Sequence, residues 1–300
     1  MSNFKSWIGA MRLRTLPLAL SSVITAVAIA RETTDLNISV VILLFTTTIL
    51  LQVLSNFAND YGDFQNGADN ENRIGPARAV QSGIIAPKAM KNAVIFTSVL
   101  AFLSGVLLLW FGLASKGLFT YALIFLGLGL AAIAAAIKYT SGKNPYGYKG
   151  LGDVFVFIFF GLVAVGGSAF LLKGTIGFTD ICGMAIIGML STAVLNVNNM
   201  RDHVNDKDSG KKTIVVALGF KRAKIYHSLL IIGALLFMLA ILFTNDSEYT
   251  LLIFLVAPIL INHLVFVWKC IEPPLLDSQL KKVALTTFLF SVLLLISSFI

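Results

Sequence analysis

Asn56, Asn59, Asp60 and Asp63 fall at i, i+3, i+4 and i+7, and Asn199, Asp202 and Asp206 fall at i, i+3 and i+7. On a helix each set makes one polar stripe. Both stripes close an apolar stretch long enough to cross a bilayer, where a carboxylate costs roughly 2.5–3.5 kcal/mol and so needs a use. Two acidic stripes facing each other across a bundle can gather carboxylates around one or two hard cations. Mg²⁺ suits that set, because it takes one or two carboxylates, substrate phosphate oxygens and several waters. No His-x-x-x-His or Cys cluster offers a softer metal a home. The plainer explanation is that the stripes snorkel to water or glue helices together, and it suits one stripe better than two.

Each stripe runs into a long polar loop, from about 64 to 91 and from about 207 to 224. The first holds Asp69, Arg73 and Arg78, and the second holds Lys207, Asp208, Lys211 and Lys212. Mixed acids and bases beside intramembrane carboxylates suit an anionic, metal-bound substrate. Arg73, Arg78, Lys211 and Lys212 can neutralise diphosphate oxygens, Arg in bidentate fashion, although basic residues also mark topology. Gly62 and Gly67 predict a helix break that lets Asp69 fold back as a further ligand. A third loop, Lys138 to Asp153, carries Tyr139, Tyr146 and Tyr148. Aromatic faces stabilise a developing cation, and interfacial belts also enrich Tyr, so both roles account for these rings. His203 sits off the Asp202/Asp206 face, and His227 and His263 read as helix residues without partners.

The elements that must position these groups are membrane helices. Of 300 residues, 57% are hydrophobic and 13% charged, with mean hydropathy +0.86. Apolar stretches near 15–31, 38–58, 92–113, 117–137, 152–172, 180–199, 225–244, 249–268 and 282–300 predict nine spans. The chain therefore reads as an all-α integral membrane protein, one bundle over 1–300 without a linker. Apart from Arg31, Lys116 and Lys173, all 23 Lys and Arg residues lie on one side of these spans, which predicts a cytoplasmic N-terminus. The net charge of +8 is then topological and implies no nucleic-acid partner. Cys182 and Cys270 lack metal or disulfide spacing and read as small core residues. The first apolar stretch has no small-residue cleavage site after Leu16-Pro17-Leu18 and reads as retained. Both stripes end even-numbered spans, which suggests a weak parallel four-helix repeat.

Taken together, the motifs resemble those of the UbiA-type intramembrane prenyltransferases. Asn59-Asp60-Tyr61-Gly62-Asp63 opens that family's first signature, Asn-Asp-x-x-Asp-x-x-x-Asp, although Gly67 stands where its last Asp would fall. Gly67-Ala68-Asp69, then Arg73-Ile74-Gly75-Pro76-x-Arg78 and Gln81-Ser82-Gly83, are similar to the branch that acts on 1,4-dihydroxy-2-naphthoate in menaquinone synthesis. Asp202 to Asp206 matches the second signature, followed by Gly210-Lys211-Lys212-Thr213 and Leu218-Gly219. Pro145-Tyr146-Gly147-Tyr148-Lys149-Gly150-Leu151-Gly152-Asp153 and Arg12-Leu13-Arg14-Thr15-Leu16-Pro17 also fit.

The resemblance implies nine helices around a central cavity in a bacterial cytoplasmic membrane, closed on the cytoplasmic side by the signature loops. It implies Mg²⁺ held by Asn59, Asp60, Asp63, Asp69, Asp202 and Asp206, with Asp63, Asp202 and Asp206 catalytic. It further implies binding of polyprenyl diphosphate and 1,4-dihydroxy-2-naphthoate through Arg14, Asn56, Asn59, Asp60, Arg73, Arg78, Lys138, Tyr139, Tyr146, Tyr148, Lys149, Asp153, Asn199, Lys211 and Lys212. The expected reaction transfers the polyprenyl group with loss of CO₂ and diphosphate. Transfer to 4-hydroxybenzoate or homogentisate is the alternative within the family. A secondary transporter also carries intramembrane carboxylates, but it places them at the midplane and not at one face.

Overall fold

The computed structural model describes residues 4–67, 78–142, 144–243 and 248–300. Among them there are no strands, and nine helical segments are long and apolar enough to cross a membrane. They are span 1 (Phe4–Arg31), span 2 (Ile38–Gln65), span 3 (Pro87–Lys116), span 4 (Phe119–Lys138), span 5 (Gly152–Lys173), span 6 (Phe178–Asp208), span 7 (Phe220–Leu242), span 8 (Thr250–Lys269) and span 9 (Pro273–Ser297). The predicted count of nine holds, and each predicted stretch falls largely within one span.

Local chemistry sets the ends. Asn37 caps span 2 by accepting from the amides of Ser39 and Val40 at 3.0 and 3.3 Å. Pro87 opens span 3 with its fixed φ and missing donor. The predicted break in span 2 comes later than Gly62: the helix continues to Gln65 and ends where Gly67 adopts φ +65°. Gly62 has a different use. A Cβ there would meet the Thr140 backbone carbon at 2.6 Å, so glycine lets the loop after span 4 lie directly on span 2. In span 1, Arg12 takes a left-handed φ of 50° and turns the helix at Leu13–Thr15. Asn56 secures that turn by donating to the Met11 carbonyl at 2.8 Å and to Thr15 Oγ1 at 3.0 Å.

The two halves of the bundle are packed differently. Span 6 is enclosed by spans 1, 5, 7 and 9 in a continuous core that includes Ile186, Leu190, Ile231, Met238, Leu260 and Phe290. Spans 2, 3 and 4 are thinner, and span 4 turns Leu123, Ile124 and Leu130 outward, as a lipid-facing helix does. Span 5 contains a π-helical stretch, Phe157–Gly166, with the Phe160 carbonyl accepting from Ser22 of span 1 at 2.9 Å. Residues of spans 1 to 6 enclose a cavity of about 390 Å³.

His227 and His263 are not partnerless. Both are fully buried, with Nε2 to Nε2 at 2.7 Å, and Gln279 Oε1 accepts from His263 Nδ1 at 2.9 Å. Spans 7, 8 and 9 are thereby tied together. Cys182 and Cys270 are buried and free, in keeping with core residues.

Candidate active site

Because span 2 stays helical through Gly62, Asp63 remains on the face shared with Asn56, Asn59 and Asp60. Asp63 is buried, and three cationic or polar groups from elsewhere in the chain reach its carboxylate. Arg78 Nη2 donates to Oδ2 at 2.7 Å, the Tyr148 hydroxyl donates to Oδ1 at 2.7 Å, and Lys211 Nζ stands 3.5 Å from Oδ1. Lys211 also lies over the Tyr148 ring, 4.7 Å from its centroid. The Lys212 amide donates to the Tyr148 carbonyl at 2.9 Å and ties the two loops together, while the Lys211 amide donates to the Asp206 carbonyl at 2.8 Å and folds its loop back on the end of span 6.

Asp60, on the same stripe, uses its carboxylate differently. Its oxygens accept from the backbone amides of Ala79 and Val80 at 3.1 and 3.2 Å, which seats the end of the first long loop beside Asp63. Asn59 faces the cavity, and its Oδ1 accepts from Thr140 at 3.2 Å. Asp69 and Arg73 lie outside the described residues.

The second stripe arrives on span 6. Asp202 is held by its sequence neighbour: Arg201 Nε and Nη2 donate to the two carboxylate oxygens at 2.7 and 2.6 Å. Arg201, itself buried, also pairs with Asp277 and donates to Asn198 at 3.0 Å. Asp206 is buried and makes no side-chain hydrogen bond or ion pair with any described residue, yet it lies within electrostatic reach of Lys211, Asp202, Asp63 and Arg201. Asn199 is buried beside it on the helix. The two stripes thus meet at one end of the bundle.

An aromatic wall adjoins them. Tyr139, Tyr146, Phe155 and Phe159 line the cavity, with Tyr146 stacked on Phe155 at 4.1 Å and edge-on to Tyr139 at 5.4 Å. Burial first, then the charges of Asp153, Asp63 and Asp206, pushes the Tyr139 hydroxyl far above the usual phenol range, and burial does the same to Tyr146. Asp153 is buried beneath Tyr139 and Thr192, whose hydroxyl lies 3.4 Å from the Asp153 carbonyl.

Several predicted residues are not drawn in. The side chains of Arg14, Lys138, Lys149 and Lys212 are exposed and make no hydrogen bond or ion pair with described residues. Asn56 supports the span 1 turn, though it also lines the cavity. Sequence reasoning passed over Arg201, counted only as a topological charge. Its signal is its position: an arginine beside an aspartate at the end of an apolar helix needs a buried partner.

The donor set is hard oxygen throughout, and the buried, unpartnered carboxylate of Asp206 next to Asp63 fits a divalent cation. Among the described residues no three acidic, His or Cys side chains are gathered closely enough to hold one. Arg78 and Lys211 stand at Asp63, and Arg201 at Asp202. What the arrangement can do is bind an anion between cationic loops and carboxylates, about one helical turn past Asn59 and beside the Tyr139 ring, both of which line the apolar cavity.

Comparison with known proteins agrees. A protein named 1,4-dihydroxy-2-naphthoate octaprenyltransferase from Haemophilus influenzae is 42% identical over 292 residues, covering 96% of this chain and 94% of that one. A protein of the same name from Escherichia coli is 41% identical, covering 97% and 95%. Among solved structures, the apo UbiA homologue from Aeropyrum pernix shares the fold, with a TM-score of 0.73 at 15% identity over 95% of this chain and 98% of that one. A UbiA homologue from Archaeoglobus fulgidus bound to DMAPP and Mg²⁺ gives a TM-score of 0.61 at 13% identity, over 94% and 98%. The UbiA prenyltransferase family description matches residues 19–297, and the chain belongs to that family.

Proposed function

We propose that the protein transfers a polyprenyl group from its diphosphate to 1,4-dihydroxy-2-naphthoate, releasing diphosphate and CO₂, at the cytoplasmic face of a bacterial inner membrane. The observation that carries this is the meeting of Asp63, Arg78, Tyr148 and Lys211 with Asp206 about one helical turn past Asn59, which lines an apolar, aromatic-walled cavity. The names of the bacterial relatives supply the acceptor and favour an octaprenyl chain. The Mg²⁺ and DMAPP bound to the Archaeoglobus fulgidus homologue support a metal-borne diphosphate. The crowding of basic residues on the side bearing both stripes supports the orientation.

Asn59, Asp63 and Asp206, with Asp202 and Asp69, would hold Mg²⁺. When bound, the metal neutralises charge that gathers on the departing diphosphate. Arg78 and Lys211, which meet the Asp63 carboxylate, would bind the diphosphate, exchanging a carboxylate partner for a phosphate one. Such prearranged charge is commonly the largest share of catalysis. The allylic C–O bond breaks toward diphosphate, and an electron pair of the naphthoate ring forms the new C–C bond. Departure of CO₂ from the ring carboxylate returns a pair to the ring. Tyr139, Tyr146 and Phe155 face the allylic carbon as it becomes cationic, and the apolar lining keeps water from it.

Purified protein with Mg²⁺, octaprenyl diphosphate and carboxyl-labelled 1,4-dihydroxy-2-naphthoate is expected to release labelled CO₂ and a prenylated naphthoquinol identified by mass. Product from 4-hydroxybenzoate or homogentisate and none from the naphthoate would overturn the acceptor assignment.

A further inference from the structure

Glycine in the middle of a helix costs about 1 kcal/mol relative to alanine, and in membrane helices it is usually repaid by close helix packing. That explains span 5, span 6 and span 7. A Cβ at Gly161, Gly183, Gly188 or Gly233 would come within 2.5 to 2.9 Å of Met184, Ile29, Phe157 or Met189. Gly112 of span 3 is also close-packed, its Cβ position 3.1 Å from Leu171, but three other glycines of spans 3 and 4 behave in the opposite way. At Gly105, Gly127 and Gly129 no atom lies within 4 Å of where a Cβ would sit, so packing does not account for them. Gly105 and Gly129 line the cavity from these two neighbouring helices, and Gly127 does not line it.

Gly129 lies ten residues, about 15 Å along the helix, from Tyr139 beside the acidic stripes. A short allylic chain held at the stripes ends before that point, whereas a long one has to pass it.

We propose that Gly105 and Gly129 determine how long a prenyl chain this enzyme accepts, by leaving the cavity wide where the tail of a long donor runs between spans 3 and 4. The inference rests on the prenyl-transfer reading above. It assigns specificity to two positions on the cavity lining that lie outside both acidic stripes. The open space at both predicts that larger side chains enter without displacing the protein, because nothing stands in the way of the new atoms.

The test compares Gly129→Phe and Gly105→Phe with Gly127→Phe, a substitution of equal size on the helix of Gly129, at a position that lies between the lining residues Leu126 and Leu128 but does not itself line the cavity. Each purified protein receives an equimolar mixture of geranyl, geranylgeranyl and octaprenyl diphosphate with Mg²⁺ and the naphthoate, and products are resolved by mass. Octaprenyl transfer by Gly129→Phe is expected to fall at least tenfold relative to Gly127→Phe, with geranyl transfer, where the native protein supports it, changing less than twofold. Gly105→Phe should shift the ratio in the same direction. Melting temperatures in detergent should stay within a few degrees of the native protein. Equal octaprenyl transfer by Gly129→Phe and Gly127→Phe overturns the inference. Absence of any prenylated product from the native protein instead overturns the functional reading beneath it, so the two failures are distinct.

Discussion

The stripes on span 2 and span 6 both set Asn and Asp along one helical face and both end on an Asp seven residues past an Asn, yet they are held in different ways. Asp63 is engaged by Arg78, Tyr148 and Lys211, which arrive from three separate loops. Asp202 is engaged by Arg201, the next residue, which is buried and braced by Asp277 and Asn198. The first carboxylate is therefore clothed by parts that an incoming diphosphate can draw away. The second is built into its helix. An acidic stripe is thus a necessary description of this site and an incomplete one, because the partner's origin decides whether a carboxylate is exchangeable.

The sharpest way to break the comparison is to neutralise one carboxylate on each side. Asp63→Asn and Asp206→Asn are each expected to lose at least about a hundredfold in turnover, the scale seen when one charge-stabilising group leaves an active site. Near-native turnover by Asp206→Asn would remove span 6 from the chemistry. The double variant should be little worse than either single one, since groups acting on one bound ion do not contribute additively.

The two arginines should separate kinetic from structural effects. Arg201→Gln strips a buried counter-ion from Asp202, and a loss on the order of 3–5 kcal/mol is expected in thermal or denaturant unfolding in detergent. Arg78→Gln should chiefly raise the KM for the donor, by about tenfold, with a smaller stability change. A variant pair that behaves alike would erase the distinction between loop-borne and helix-borne partners. Next in size is Gly62→Ala, whose new Cβ would press on the Thr140 backbone at 2.6 Å. It should cost about 1–3 kcal/mol and lower activity by displacing the loop that carries Tyr139. Tyr148→Phe removes a single hydrogen bond to a carboxylate, and a rise of about three- to tenfold in donor KM with unchanged folding is the smallest effect expected.

The nine spans were legible because an apolar stretch of bilayer length has few other uses, and charge bias needs only counting. The stripes were legible because helical spacing puts Asn59 and Asp63 on one face whatever surrounds them. What each stripe residue does was not. Whether Asp60 or Asp63 receives the loop amides of Ala79 and Val80 depends on the path of that loop, and no local spacing encodes it. Gly62 carried a misleading signal, since its helix-breaking cost is outweighed by the close approach it permits to Thr140. The contact between His227 and His263 joins residues 36 positions apart on neighbouring spans, and only helix packing reveals it. Arg201 was hidden by abundance, as one basic residue among many at the same membrane margin.

Calorimetric titration of the purified protein with a prenyl diphosphate, with and without Mg²⁺, tests most directly that both stripes serve one diphosphate. Metal-dependent binding by the native protein, lost in Asp63→Asn and equally in Asp206→Asn, is the predicted result. Native-like metal-dependent affinity in Asp206→Asn would contradict it.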